Sequence, residues 1–110
     1  AQFGTELDPA TQAALDRGAR LLEIMNQDQH KLIAPEDQIA IYFAITRGYL
    51  DDVSPEQIDA FESAFIEFLH RRRQGIRNAI IIQQRMTDEL EQMLEDAVTQ
   101  FKEQEWKGEA

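Results

Sequence analysis

QIAIYFAITRGYLD, residues Gln38 to Asp51, is the most continuously apolar part of the chain and sets its architecture. Ile39, Tyr42, Phe43, Thr46, Tyr49 and Leu50 recur at three- and four-residue spacing, the mark of one helix face. Ile41, Ala44 and Ile45 lie off that face, yet they are apolar too. A helix that is apolar nearly all round belongs inside a bundle, with neighbours on several sides. Pro35, Glu36 and Asp37 supply its start, because proline is tolerated at the first helical position and acidic groups there suit the helix dipole. Gly48 followed by Asp51 and Asp52 marks a fraying end with an acidic turn beyond it. The expectation is a central helix in an all-α, antiparallel bundle of about four to five helices.

Upstream, Asp8-Pro9 reads as an N-cap followed by a first helical residue. Ala14, Leu15, Ala19, Leu22 and Met25 then line one face, with Arg17, Arg20 and Glu23 off it. Gly18 costs a helix about 1 kcal/mol against alanine, so a close helix crossing is expected there. Asn26 to Ala34 reads as a polar linker ending in Leu32 and Ile33.

Downstream, Ser54-Pro55-Glu56-Gln57 reads as a capping box with proline at the first position. The helix after it carries Ile58, Phe61, Phe65, Phe68 and Leu69, with Ile66 broadening the stripe. Burying each phenylalanine contributes ~2–3 kcal/mol, and a core stripe is the expected role rather than an aromatic binding site. His70-Arg71-Arg72-Arg73 closes that helix, where cations offset the dipole. Gln74-Gly75 bends the chain, and Ile76, Ala79, Ile80 and Ile82 form a short apolar segment that is open between helix and strand. Thr87 caps a last helix whose stripe is Leu90, Met93, Leu94, Ala97, Val98 and Phe101. Residues 70–85 hold five arginines and no acid, and residues 88–96 hold five acids and no base. Such blocks suit lacing between two antiparallel helices, although exposed pairs contribute little each. After Phe101 the tail is polar except for Trp106 and is expected to fray.

Composition narrows the functions. One domain with one core fits 110 residues. A hydrophobic content of 43% argues against wholesale disorder. With no cysteine there is neither a disulfide frame nor a thiolate metal site. No apolar run approaches the roughly 18 residues of a membrane span, and no signal-peptide pattern is present. A formal charge of −10 leaves no basic footprint for nucleic acid and suits a basic partner instead. Ala1-Gln2-Phe3-Gly4 lacks an initiator methionine, and Phe3 and Leu7 read as residues from the edge of something larger, so an excised piece is expected.

Catalytic, cofactor and metal constellations are not found. No phosphate-binding loop is present. His30 and His70 have no metal-ligand spacing, and Ser54 and Ser63 have no nearby His–Asp pattern. Asp51, Asp52 and Glu56 lack the alternating ligands and central glycine of an EF-hand. Composition and periodicity alone therefore define a soluble, acidic, all-helical domain without a function.

Four stretches carry a resemblance: Ala1-Gln2-Phe3-Gly4 with Leu7-Asp8 and Ala10-Thr11-Gln12; Arg17-Gly18-Ala19-Arg20-Leu21; Ala34-Pro35-Glu36-Asp37-Gln38; and Thr46-Arg47-Gly48-Tyr49-Leu50-Asp51-Asp52. In this order and spacing they resemble the C-terminal helical domain of the alpha subunit of F-type ATP synthase. The match is good over residues 1 to about 70, and a general pattern persists beyond, in Met86-Thr87-Asp88-Glu89-Leu90-Glu91 and Val98 to Lys102. Asp28 departs from the family's usual proline, Phe43 from its tyrosine, and Ile45 from a small residue. These departures imply a different run of the linker and altered packing of the central helix.

The resemblance implies a parent enzyme that makes ATP from ADP and phosphate, driven by ion flow, with alpha and beta subunits alternating around a rotating stalk. Residues 1–7 would end the connection to an absent nucleotide-binding domain, and residues 8–110 would form the helical domain. ATP and magnesium would bind in that absent domain, so this chain by itself would hold no cofactor and catalyse nothing. Its partners would be beta subunits and the central-stalk gamma subunit, with no nucleic acid and no membrane insertion. Its place would be a peripheral complex on the cytoplasmic face of a bacterial inner membrane, in preference to an organelle membrane. By resemblance, the turn Asp51-Asp52-Val53-Ser54-Pro55-Glu56 stands where the beta subunit carries an acidic loop that meets the rotor. Asp51, Asp52 and Glu56 are thus the candidate site, expected to present three unburied carboxylates to basic groups of the stalk. The competing reading is a free-standing acidic helical adaptor that binds a basic partner.

Overall fold

Prolines and capping side chains set most of the helix starts. The computed structural model describes residues 8–106, so the expected connecting segment 1–7 lies outside the described residues. Among these described residues five α-helices follow in order: α1 (Pro9–Asp28), α2 (Pro35–Thr46), α3 (Ile58–Arg72), α4 (Gln74–Gln83) and α5 (Asp88–Gln104). Among the described residues there is no strand, and the all-α bundle expectation holds. Asp8 caps α1 by accepting the Thr11 amide at 3.2 Å, and Thr87 caps α5 by accepting the Leu90 amide at 3.2 Å.

Helix α2 packs against all four other helices, which makes it the central helix its all-round apolarity requires. Two details differ from the expectation. First, the helix ends at Thr46: Gly48 takes a left-handed backbone (φ 86°), and the Tyr49 amide donates back to the Ala44 carbonyl at 3.0 Å. Tyr49 and Leu50 therefore lie in the turn, not on a helix face. Second, Ala40, Ile41, Ala44 and Ile45 are completely buried, whereas Ile39 and Thr46 are exposed. With neighbours on most sides, the open side of α2 falls on part of the expected core face.

The Ser54–Gln57 segment is a boundary but not a capping box. Pro55–Gln57 forms a 3-10 turn, Ser54 makes no side-chain cap bond, and the Gln57 amide donates to the Ser54 carbonyl at 2.9 Å. Helix α3 begins one residue later. Its expected stripe is buried at Ile58, Phe61, Phe65, Phe68 and Leu69, whereas Ile66, expected to broaden it, is only half-buried and lies outside the core. Phe101 of α5 meets Phe61 edge-on, with ring centroids 5.2 Å apart, and lies 5.4 Å from both Phe65 and Phe68. Trp106 does not fray away. Its ring packs edge-on against Phe61 at 5.1 Å, because a large aromatic near a phenylalanine cluster gains more from burial than from solvation. The Ile80–Ile82 segment resolves as helix, with Ile76 and Ile80 buried and Ile82 turned to solvent.

Helix α1 is rotated from the expected face. Ile24 is buried and Leu21 packs on the core, whereas Leu15 and Leu22 are 55% and 66% exposed and Met25 is also exposed. The reason lies in Arg17 and Arg20, which point inward to partners on the turn after α2. The helix also continues through Asn26, Gln27 and Asp28, so the linker is only residues 29–34. Gly18 marks no crossing, since a Cβ added there would meet nothing within 4 Å.

The two charge blocks do not lace to each other. Arg71 and Arg72 reach Glu105, and Arg77 reaches Glu36 and Asp37 of α2. Glu91 and Glu95 are taken by Arg47, whose guanidinium also lies 4.8 Å over the Phe43 ring. The His70–Arg73 run thus ties helices together: His70 is 2.8 Å from buried Asp37, and Arg73 donates to Gln100.

Candidate functional site

The acidic turn between α2 and α3 is built from its backbone outward. Leu50 and Val53 are buried and anchor it to the core. Gly48 permits the reversal, and any side chain here is disfavoured twice: the φ is positive, and a Cβ would lie 2.5 Å from Nη2 of Arg17 and displace that guanidinium. The Arg17 guanidinium thus lies against the Gly48 backbone and donates to both oxygens of Asp51 at 2.9–3.2 Å. Arg20, one turn further along α1, donates to the carbonyl of Val53 at 3.0 Å and to that of Asp51 at 3.4 Å. From α5, Lys102 donates to the Asp52 carboxylate at 2.7 Å and to the Tyr49 carbonyl.

The three expected site residues are therefore close in the chain but unlike in surroundings. Asp51 is half-exposed and paired with Arg17, and Asp52 is 73% exposed and paired with Lys102. Glu56 is exposed on the 3-10 turn. Three cations, Arg17, Arg20 and Lys102, converge on a turn with three carboxylates. The turn is docked and largely charge-compensated, not a bare acidic projection. Sequence reasoning missed these three cations. The available signal was the Arg17-Gly18-Ala19-Arg20 stretch, which the fold lays against the Thr46–Asp52 stretch, so two of the four resembling motifs are one physical unit.

A second polar cluster lies where the end of α1 meets α2 and α3. Asp28 is 6% exposed and Glu62 fully buried. Oδ2 of Asp28 accepts from the Tyr42 hydroxyl at 3.2 Å and from Gln38 at 3.3 Å. Lys31 donates to Asp59 and, at 3.4 Å, to Oε1 of Glu62. Oδ1 of Asp28 and Oε2 of Glu62 are buried and receive no hydrogen from any donor. Burial, the hydrogen bond with Asp28 and the Asp28 charge push the Glu62 carboxyl up to about 7, against the opposing pull of Lys31. Burial and the neighbouring Asp28 also raise the Tyr42 phenol.

An open apolar groove of about 490 Å³ runs between the start of α2 and the α4–α5 turn, lined by Ile39, Ile81, Met86 and Leu90 with Glu36 and Arg85 at its rim. Among the described residues no group of three or more His, Asp or Glu side chains is placed to hold a metal ion, and no helix is long and apolar enough to cross a membrane.

Among the described residues the site is thus an Arg17-clamped Gly48–Asp51 turn on a bundle of five helices. The family described as ATP synthase alpha/beta chain, C terminal domain, matches residues 1–101, and the chain belongs to it. Within that family it is similar to the ATP synthase subunit alpha of Desulfovibrio desulfuricans, with 42% identity over 103 residues covering 94% of this chain. The chain spans 20% of that relative's length.

Proposed function

We propose that this chain serves as the C-terminal domain of the alpha subunit of a rotary F-type ATP synthase. In that setting it is a structural and coupling part of the alpha–beta hexamer, contributing to ATP synthesis coupled to ion transport. The observation that carries the reading is the 42% identity to an ATP synthase subunit alpha across nearly the whole chain. By itself the chain neither binds nucleotide nor catalyses, and ATP and magnesium belong to the remainder of the subunit. Its partners are beta subunits and the central-stalk gamma subunit, in a peripheral complex on the cytoplasmic face of a bacterial inner membrane.

The Asp51–Glu56 turn is the surface that meets the stalk in this reading. Support comes from the exposure of Asp52 and Glu56 and from the rigid setting that Leu50, Val53 and Arg17 give them. Because Asp51 and Asp52 already have internal cations, the interaction is a weak general field rather than fixed pairs. Replacing Asp51, Asp52 and Glu56 together with alanine in the assembled enzyme is expected to alter rotor cross-linking or coupling at low ionic strength. Added salt should shrink that difference, since exposed charges are screened within about 10 Å at 0.1 M. Unchanged cross-linking and turnover at low salt contradict the proposal. A change that persists in high salt assigns the effect to the lost Arg17–Asp51 tie instead.

A further inference from the structure

Two carboxyl groups buried side by side, each with one oxygen that no donor reaches, are unusual in a folded chain, where buried polar atoms are nearly always paired. Asp28 is the last residue of α1 and Glu62 lies in the second turn of α3. They are within hydrogen-bonding reach of each other. Two ionised carboxylates cannot hydrogen-bond, because both only accept. A proton on one of them supplies the missing donor and removes one of two like charges from a buried place. We propose that Asp28 and Glu62 hold a proton between them and that this proton latches the end of α1 onto α3, making the joint a pH-sensitive device.

The groups facing the pair come from every element around it. Tyr42 and Gln38 of α2 donate to Asp28, and Lys31 of the linker donates to Glu62. Asp59 of α3 competes for that same Lys31. Burial works against the Lys31 ammonium, yet its hydrogen bond to Asp59 and the charges of Glu62 and Asp59 hold its proton more firmly than usual. Lys31 is thus divided between Glu62 and Asp59, and Asp28 has only the neutral donors Tyr42 and Gln38, so no full cation is left to neutralise the pair once the proton leaves.

The sign follows from linkage. Glu62 binds its proton more tightly folded, near 7, than unfolded, near 4.5. Its stabilising contribution is complete below the lower value and is lost as pH rises through the upper one. The element that yields is the end of α1 with residues 29–34, where Leu32 is fully exposed and holds nothing. This inference is independent of the ATP synthase reading.

The test is a pair of measurements on the full 110-residue chain between pH 5 and pH 9. In the first, the Glu62 carboxyl carbon is followed by NMR. A midpoint between about 6 and 8 is expected, together with faster amide hydrogen exchange at Asp28–Ala34 on the alkaline side. A midpoint near 4.5 overturns the proposal, as does exchange at Asp28–Ala34 that stays level after correction for its intrinsic pH dependence. In the second, Glu62→Gln replaces the protonated acid with a permanent amide donor. Its unfolding midpoint is expected to stay level across the window in which the parent's falls. Parallel declines overturn the latch. If the variant does not fold, the NMR midpoint and exchange profile of the parent decide the matter.

Discussion

At Gly48 two requirements meet in one residue. Its backbone is left-handed, and the guanidinium of Arg17 occupies the place of a side chain. Gly48→Ala brings a left-handed cost of about 1–2 kcal/mol and pushes the guanidinium off Asp51. The urea midpoint of the chain is expected to fall correspondingly, with the denaturant slope unchanged; an unaltered midpoint contradicts the described turn. Although the helix stops earlier, at Thr46, with Tyr49 and Leu50 in the turn, a fraying end at Gly48 was legible from sequence, because only glycine's backbone freedom is needed to see it. The close approach of Arg17 was not, because it joins residues far apart in the chain. The same holds for Asp28 and Glu62. A polar residue in a linker-like stretch reads as solvated until the fold shows that helix α1 continues through it.

Among the elements, α3 and α5 were the most legible, since each carries a single dominant apolar stripe whose large members turn inward, Ile66 of α3 excepted. Helix α1 carries two. Leu15, Leu22 and Met25 form the stronger on paper, whereas Leu21 and Ile24 form the one that packs. The choice is made by Arg17 and Arg20, long side chains that lie along apolar surface while their heads reach the turn. Pattern reading treats arginine as a marker of the solvent face, and so it selected the other side. The two stripes make opposite predictions for mutation. Ile24→Ala is expected to cost about 2–5 kcal/mol by opening a cavity. Leu22→Ala is expected to stay within about 0.5 kcal/mol, as judged by chemical unfolding of the chain. A large loss from Leu22→Ala with none from Ile24→Ala contradicts the rotation of α1. The capping box failed for a related reason, because a 3-10 turn satisfies the same amides through Ser54's carbonyl rather than its hydroxyl.

On the scale of the whole molecule, the all-α architecture was legible because apolar periodicity and proline punctuation agree along the chain. The pairing of charges was not. Blocks of arginine and acid set net attraction but not partners, and those partners depend on which helix ends meet: Arg77 with Glu36 and Asp37, Arg47 with Glu91, Lys102 with Asp52. Much of the acidic surplus is therefore spread over tied helix ends, which leaves exposed Glu56 as the open acidic point of the turn, beside an Asp52 that is exposed but tied to Lys102. The central claim is that this bundle works as an alpha-subunit domain, and a chimera addresses it directly. Residues 1–101 would replace the matching region of the Desulfovibrio desulfuricans subunit alpha, followed by reconstitution with the beta and gamma subunits of that organism and measurement of complex mass and ATP turnover. Formation of the complex with turnover is the expected result; a folded chimeric subunit that fails to join beta and gamma would contradict the assignment.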